Sequence, residues 1–314
     1  MTQEGPLPHL ATPQATPIAG LDRIAVGAPI TRLGVSLFPL YLHQSAPDID
    51  APGDDVGIEE LEAAEVPTVR FTNGGGRPVL VPAGSTISGG RQNRMVNVSV
   101  LLPSAATLDV PVSCVQAGRW SGERGFSVGR SFAPRRVRRT NDLTVEHNLR
   151  HGRGGRADQS SVWSTVDHEL DREAVLSHTR DLEDLEQAVA RDERRTAAIE
   201  ELVARGPLPG QSGLAVAHGS RVLAADVFAS PDLLARNWEP LVRSHLAELP
   251  TGRNGHPSAS RVLRFLRRFA TSRATVSEAA GVGRERHVAT DRLAGQALEH
   301  DDALIHASAF ALAA

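Results

Sequence analysis

Glycine and proline punctuate residues 30–115 so densely that no long helix fits there, and this constrains the fold more than any other feature. The runs between the breaks are short and rich in Val, Leu and Ile. Leu33–Leu42 alternates and then turns solidly apolar, a strand in which Pro39 demands an edge or a bulge. Ser45–Gly57 is an Asp/Pro/Gly-rich loop. Thr68–Thr72 and Pro78–Pro82 read as strands, with Asn73–Gly76 as the hairpin turn between them. Met95–Leu102 and Leu108–Val115 are further strands, joined by Pro103–Thr107. Ile58–Ala64 breaks the pattern: acids and Leu at helical spacing predict a short helix.

Helical spacing dominates later in the chain. Thr179–Arg205 predicts one long surface helix stopped by Gly206-Pro207. Gly213–Ala224 reads as a hairpin turning at His218-Gly219. Ser230 is the expected N-cap of a helix with Pro231 at its first position and Pro240 as a kink. Ser260–Thr271 predicts a basic amphipathic helix, with an ordinary sheet-docked helix and a membrane-surface helix as its two readings. Arg286–Thr290, Leu293–Leu298 and Ala303–Phe310 are weaker strands returning to the sheet. The expected fold class is α+β, a largely antiparallel sandwich or barrel-like core with about three main helices in the middle and second half. Residues 1–20, with four prolines, read as a disordered or loosely docked tail; 21–314 reads as one domain, its Arg/Gly-rich stretch 121–158 partly mobile.

Composition excludes several functions. A formal net charge of −3 gives no bulk attraction to nucleic acid, which is not expected as a partner. None of the 34 basic residues is lysine, so a lysine Schiff base and a P-loop lysine are out. Cys114 is the single cysteine, which rules out an internal disulfide and a Cys-rich zinc site and suits the cytoplasm. No leader-like or membrane-spanning run is expected, no metal-ligand spacing appears, and no cofactor or oligomeric state is indicated.

Chemistry concentrates between Gly84 and Trp120. Gly89 and Gly90 can expose backbone N–H groups; Arg91 and Arg94 supply planar cations; Gln92 and Asn93 supply amides. The same residues equally describe a bulged turn that satisfies itself. Arg119-Trp120 fits either the wall of a ligand pocket or a structural stack. Cys114 lies in an apolar run and reads as a small core residue. Arginines from Arg119 to Arg156 precede an acidic segment, and the two are expected to pair. Asp226, at a strand end, and His168 are the weak acid–base candidates.

At Gly89-Gly90-Arg91-Gln92-Asn93-Arg94, Pro111-Val-Ser-Cys-Val-Gln and Gly118-Arg119-Trp120, the chain resembles the ARG and Rhodanese-Phosphatase-superfamily-associated protein domain family, the first of two domains of that name. The resemblance implies association with ADP-ribosyl-glycohydrolases, hence NAD or ADP-ribose metabolism. It supplies no catalytic residues to carry over. The chain departs from the family at Gln116, where Glu is usual, and at Ser85 and Thr86, where acids are usual. The resulting expectation is a phosphate-bearing, nucleotide-like ligand held by Gly89, Gly90, Arg91, Gln92, Asn93, Arg94, Arg119 and Trp120. The alternatives are a hydrolase or transferase on an ADP-ribose-type substrate, with Asp226 or His168 in play, and a non-catalytic interaction domain.

Overall fold

A computed structural model describes residues 13–14, 16–61, 67–119, 125–249 and 257–312. The first half is almost all strand: β1 (Pro13–Gln14), β2 (Ile24–Val26), β3 (Ile30–Arg32), β4 (Val35–Leu42), β5 (Val56–Glu59) and β6 (Thr68–Asn73). There follow β7 (Val79–Val81), β8 (Ser85–Gly89), β9 (Arg94–Val96), β10 (Val100–Leu102), β11 (Thr107–Cys114) and β12 (Phe126–Phe132). Four helices come next: α1 (Arg135–Arg150), α2 (Gln159–Arg172), α3 (Leu182–Arg191) and α4 (Glu193–Arg205). The chain continues through β13 (Gly213–His218), β14 (Arg221–Phe228), α5 (Pro231–Ala247) and α6 (Ala259–Thr271). It ends with β15 (Ala274–Glu278), β16 (Arg284–Ala289), β17 (Leu293–His300) and β18 (Ala303–Ala311).

All strand ladders are antiparallel, in a mixed helix-and-sheet architecture. Ten strands form one sheet in the order β1-β15-β16-β17-β18-β14-β13-β4-β2, with β3 also on β4. Six form a second, in the order β12-β8-β9-β11-β6-β5. A bridge between Glu59 and Gly125 brings its two edges together, so this sheet is a nearly closed barrel. Val69, Phe71, Ile87, Val96, Val110 and Val112 fill its core. The β7–β10 ribbon joins the two units. Period-two alternation sends Val79, Val81, Val100 and Leu102 into the barrel core. Leu80 and Leu101 point the other way, into the core that α5 shares with the large sheet. The opposite face of the large sheet is covered by α6 through Val262, Leu266 and Phe269.

Pro39 sits mid-strand without breaking a ladder. β2 pairs with Leu40–Leu42 and β3 with Val35–Leu37, so Pro39 faces the gap between them, and its carbonyl accepts from Gly27 N at 2.9 Å. Ser230 caps α5 as expected, accepting from Leu233 N at 3.2 Å.

Several expectations are corrected. Ile58 belongs to β5, which alternates buried and exposed and pairs with β6; ladder formation overrides the helical spacing, while 62–66 lie outside the described residues. Asn73–Gly76 does not turn a hairpin: β6 pairs with β5 and β11, and β7 with β10. The Asn73 amide bonds Arg77 O at 2.8 Å and Pro103 O at 2.9 Å and holds a crossover instead. Met95–Leu102 is two strands, split at Asn97. The single long helix is two, because Asp192 ends α3 and caps α4, accepting from Arg195 N at 3.0 Å. Six helices, not about three, occur among the described residues. Much of the arginine-rich stretch is α1, wedged between the barrel and the large sheet, with Arg135 and Arg138 buried. Within 1–20, residues 1–12 and 15 lie outside the described residues; Ile18 is buried, its N–H on Ala270 O at 3.0 Å.

Candidate functional site

β9 and β11 are antiparallel neighbours with Arg94 opposite Cys114, and this register brings the two sequence motifs together. Gly89 and Gly90 turn the chain at φ 119° and 53°. A Cβ on Gly90 would collide with the Phe126 ring unless that ring moved, and the positive φ adds strain for any other residue. The backbone donors of Gly89, Gly90 and Arg91 are spent within the protein. Gly89 N donates to Asn93 Oδ1 (3.1 Å), Gly90 N to Gly125 O (3.0 Å) and Arg91 N to Glu60 Oε1 (3.1 Å). Asn93 Nδ2 donates to Asp181 Oδ2 (3.0 Å), and Gln92 Nε2 to Gln116 O (2.8 Å). Arg94 is fully buried, donating to Gln92 Oε1 (3.1 Å) and reaching Glu60 (3.5 Å). Arg119 reaches across to the turn, from Nη1 to Gly90 O (3.0 Å), from Nη2 to Gly89 O (3.2 Å) and from Nε to Gln116 Oε1 (2.7 Å). Arg91 is exposed. Trp120 lies outside the described residues. The Cys114 thiol donates to Gln116 O at 2.9 Å, and burial pushes its pKa up. The arrangement is a clasp: side chains of one strand end tie down the turn of another.

Asp226 sits elsewhere, sealed between β14, α1 and α5. It pairs with Arg138 and accepts from His245 Nε2 at 2.9 Å. Burial would raise its pKa, but the guanidinium and imidazole outweigh that and hold it well below the usual carboxylate range. Burial lowers His245 against the pull of Asp226. Nearby, Asp142 is pushed up to about 6 by burial, and His306 down to about 4. Gln296 Nε2 donates to Asp142 Oδ1 at 2.6 Å, and Ser99 Oγ meets His306 Nδ1 at 2.8 Å. This polar seam glues α1 to the large sheet. His168 lies on the exposed face of α2.

A cavity of about 770 Å³ opens between the barrel and α5. Its floor reaches the barrel core at Phe71 and Ile87, flanked by Phe126 and Phe132. Three hydroxyls, on Ser85, Ser127 and Ser131, line one side. Asp54 comes from the 51–54 loop, and Arg236 and Glu239 from the outer face of α5. None of residues 89–94 (the glycine–arginine loop), Arg119, Asp226 and His168 lines it. Arg236 and Glu239 stand three apart, off the Leu234–Trp238–Leu241 stripe, a sequence-visible hint that sequence reasoning passed over. Among the described residues, no His/Cys/Asp/Glu group is placed to hold a metal, and no helix is long and apolar enough to cross a membrane.

A family model for the ARG and Rhodanese-Phosphatase-superfamily-associated Protein domain, ARPP-1, matches residues 23–310, nearly the whole chain. The chain belongs to this family. No curated protein and no solved structure matches it.

Proposed function

We propose that this ARPP-1 family member binds a phosphate-bearing, nucleotide-like small molecule of the NAD or ADP-ribose kind in the cleft between barrel and α5. The observation that carries the reading is the cleft's make-up. A hollow of about 770 Å³ combines an aromatic floor with hydroxyls, carboxylates and one arginine, and that volume lies in the range of small-molecule sites. Phe71, Phe126 and Phe132 suit the face of a base. Asp54 and Glu239 suit ribose hydroxyls, which carboxylates recognise in dinucleotide sites. Arg236, its side chain 60% exposed and 3.9 Å from Asp50, suits a phosphate. The glycine–arginine loop is read as the clasp that fixes β8 against β9 and β11, since its donors already have protein partners. A single buried thiol suits the reducing cytoplasm.

The carboxylates of Asp54 and Glu239 at the cleft favour one second reading, a hydrolase or transferase on the same ligand class with these acids as proton donor and acceptor. Turnover of ADP-ribose by wild type, lost in Asp54→Asn and Glu239→Gln, separates catalysis from binding. The binding test is a thermal-shift series with ADP-ribose, NAD, AMP and inorganic phosphate. At a hundred times Kd a true ligand stabilises by about 2.7 kcal/mol, a rise of roughly 5 °C. Arg236→Ala should abolish the response. Arg119→Ala should lower the baseline melting point but keep the response. Absence of a shift with all four compounds sinks the proposal; loss of the response in Arg119→Ala alone returns the site to the loop.

A further inference from the structure

A second hollow, of about 240 Å³, lies on the other side of the Ser131–Phe132 end of β12. Leu185 and Val189 of α3, Ile199 of α4, and Pro134 and Ala247 wall it. Ser131 and Phe132 line both hollows, so they form a septum between them. The rims are also linked. Arg243 of the slot donates to Glu239 of the cleft at 3.0 Å and to Glu200 at 2.7 Å.

We propose that the slot is an apolar subsite of the same ligand, taking a compact aromatic or branched aliphatic group attached to the polar part held in the cleft. The inference rests on the cleft being the binding site. Three features carry it. Protein interiors pack as densely as organic crystals, so a gap of this size between three helices forfeits contacts that an apolar guest restores. Water is a poor guest, because it needs two to four polar partners. Most polar side chains of the wall already have protein partners: Thr196 Oγ1 donates to Val189 O at 3.3 Å, Ser244 Oγ to Ala133 O at 2.9 Å and Arg243 to Glu200 at 2.7 Å, while the exposed Glu186 stands at the edge. Size is the third. A cavity of about 150 Å³ lined by Leu, Ile and Phe holds benzene, so about 240 Å³ admits one or two fused rings. Ser131, whose Oγ lies 2.5 Å from Thr86 Oγ1, is the polar group on the septum, and a ligand spanning both hollows crosses at the rim that Arg243 and Glu239 share.

The test uses indole as the slot probe and AMP as the cleft probe, on the full-length protein. Ligand-observed NMR should show saturation transfer to indole, and interligand NOEs between indole and AMP when both are present. Ala190→Trp fills the slot mouth from an exposed position on α3, so the fold should survive. It should weaken indole about tenfold or more while leaving the AMP thermal shift intact. Arg236→Ala should do the reverse. Indole binding that is absent, indifferent to Ala190→Trp, or free of NOEs to bound AMP overturns the subsite. No AMP response in any variant overturns the cleft reading itself, a distinct result.

Discussion

Replacing Asp142 by Asn should stabilise this protein at neutral pH and do nothing in acid. Asp142 is buried on the inner face of α1, with Arg138 and His287 near it. Its Oδ1 accepts from Gln296, while Oδ2 has no partner among the described groups. Burial raises its pKa from 3.8 to about 6. That difference is about 2 pH units, or about 3 kcal/mol. The folded state binds this proton more tightly than the unfolded chain. Stability is therefore unpenalised below about pH 4, falls as pH climbs to about 6, and stays reduced above it. Asn keeps the acceptor for Gln296 and removes the charge. It leaves one polar atom unpaired, as the native residue does, so the net gain is about 1–3 kcal/mol at pH 8. Urea titrations followed by fluorescence of the three tryptophans, at pH steps from 4 to 8, give the free energies. Wild type and variant should agree at pH 4 and diverge upward. A variant less stable than wild type at pH 8, or a stability difference that ignores pH, refutes the reasoning.

Two other consequences follow from burial. Asp226→Ala strands the Arg138 guanidinium in the interior and should cost about 3–5 kcal/mol in urea titration, whereas Arg138→Met with Asp226→Leu should recover most of it; equal losses in both would remove the ion pair from the account. Cys114, buried with its thiol pKa raised, should resist Ellman's reagent in the native protein and react fully in urea; fast native labelling would contradict its placement.

The sequence alone determined the strand-rich, antiparallel character of the first half, because Gly and Pro forbid long helices there and alternation can be read residue by residue; it left sandwich or barrel open, and the Glu59–Gly125 bridge decided that. It also located the α5 cap at Ser230, since caps are local; of the expected pairing between the arginine cluster and the acidic segment after it, Arg136 with Glu169 is an instance, whereas the buried Arg135 and Arg138 pair with Glu248 and Asp226 instead. The two motifs around Gly90 and Arg119 could be singled out for the same reason: unusual residues stand close together. Tertiary structure decided what those residues do. Arg119 donates to the carbonyls of Gly89 and Gly90 because the β9–β11 register sets them side by side, and no spacing rule contains that register. Likewise Asp226 became one end of a buried ion pair when α1 was wedged against β14. The cleft belongs wholly to the three-dimensional level. Asp54, Ser131 and Arg236 carry no signal in sequence, and only closure of the barrel beside α5 gathers them around one hollow.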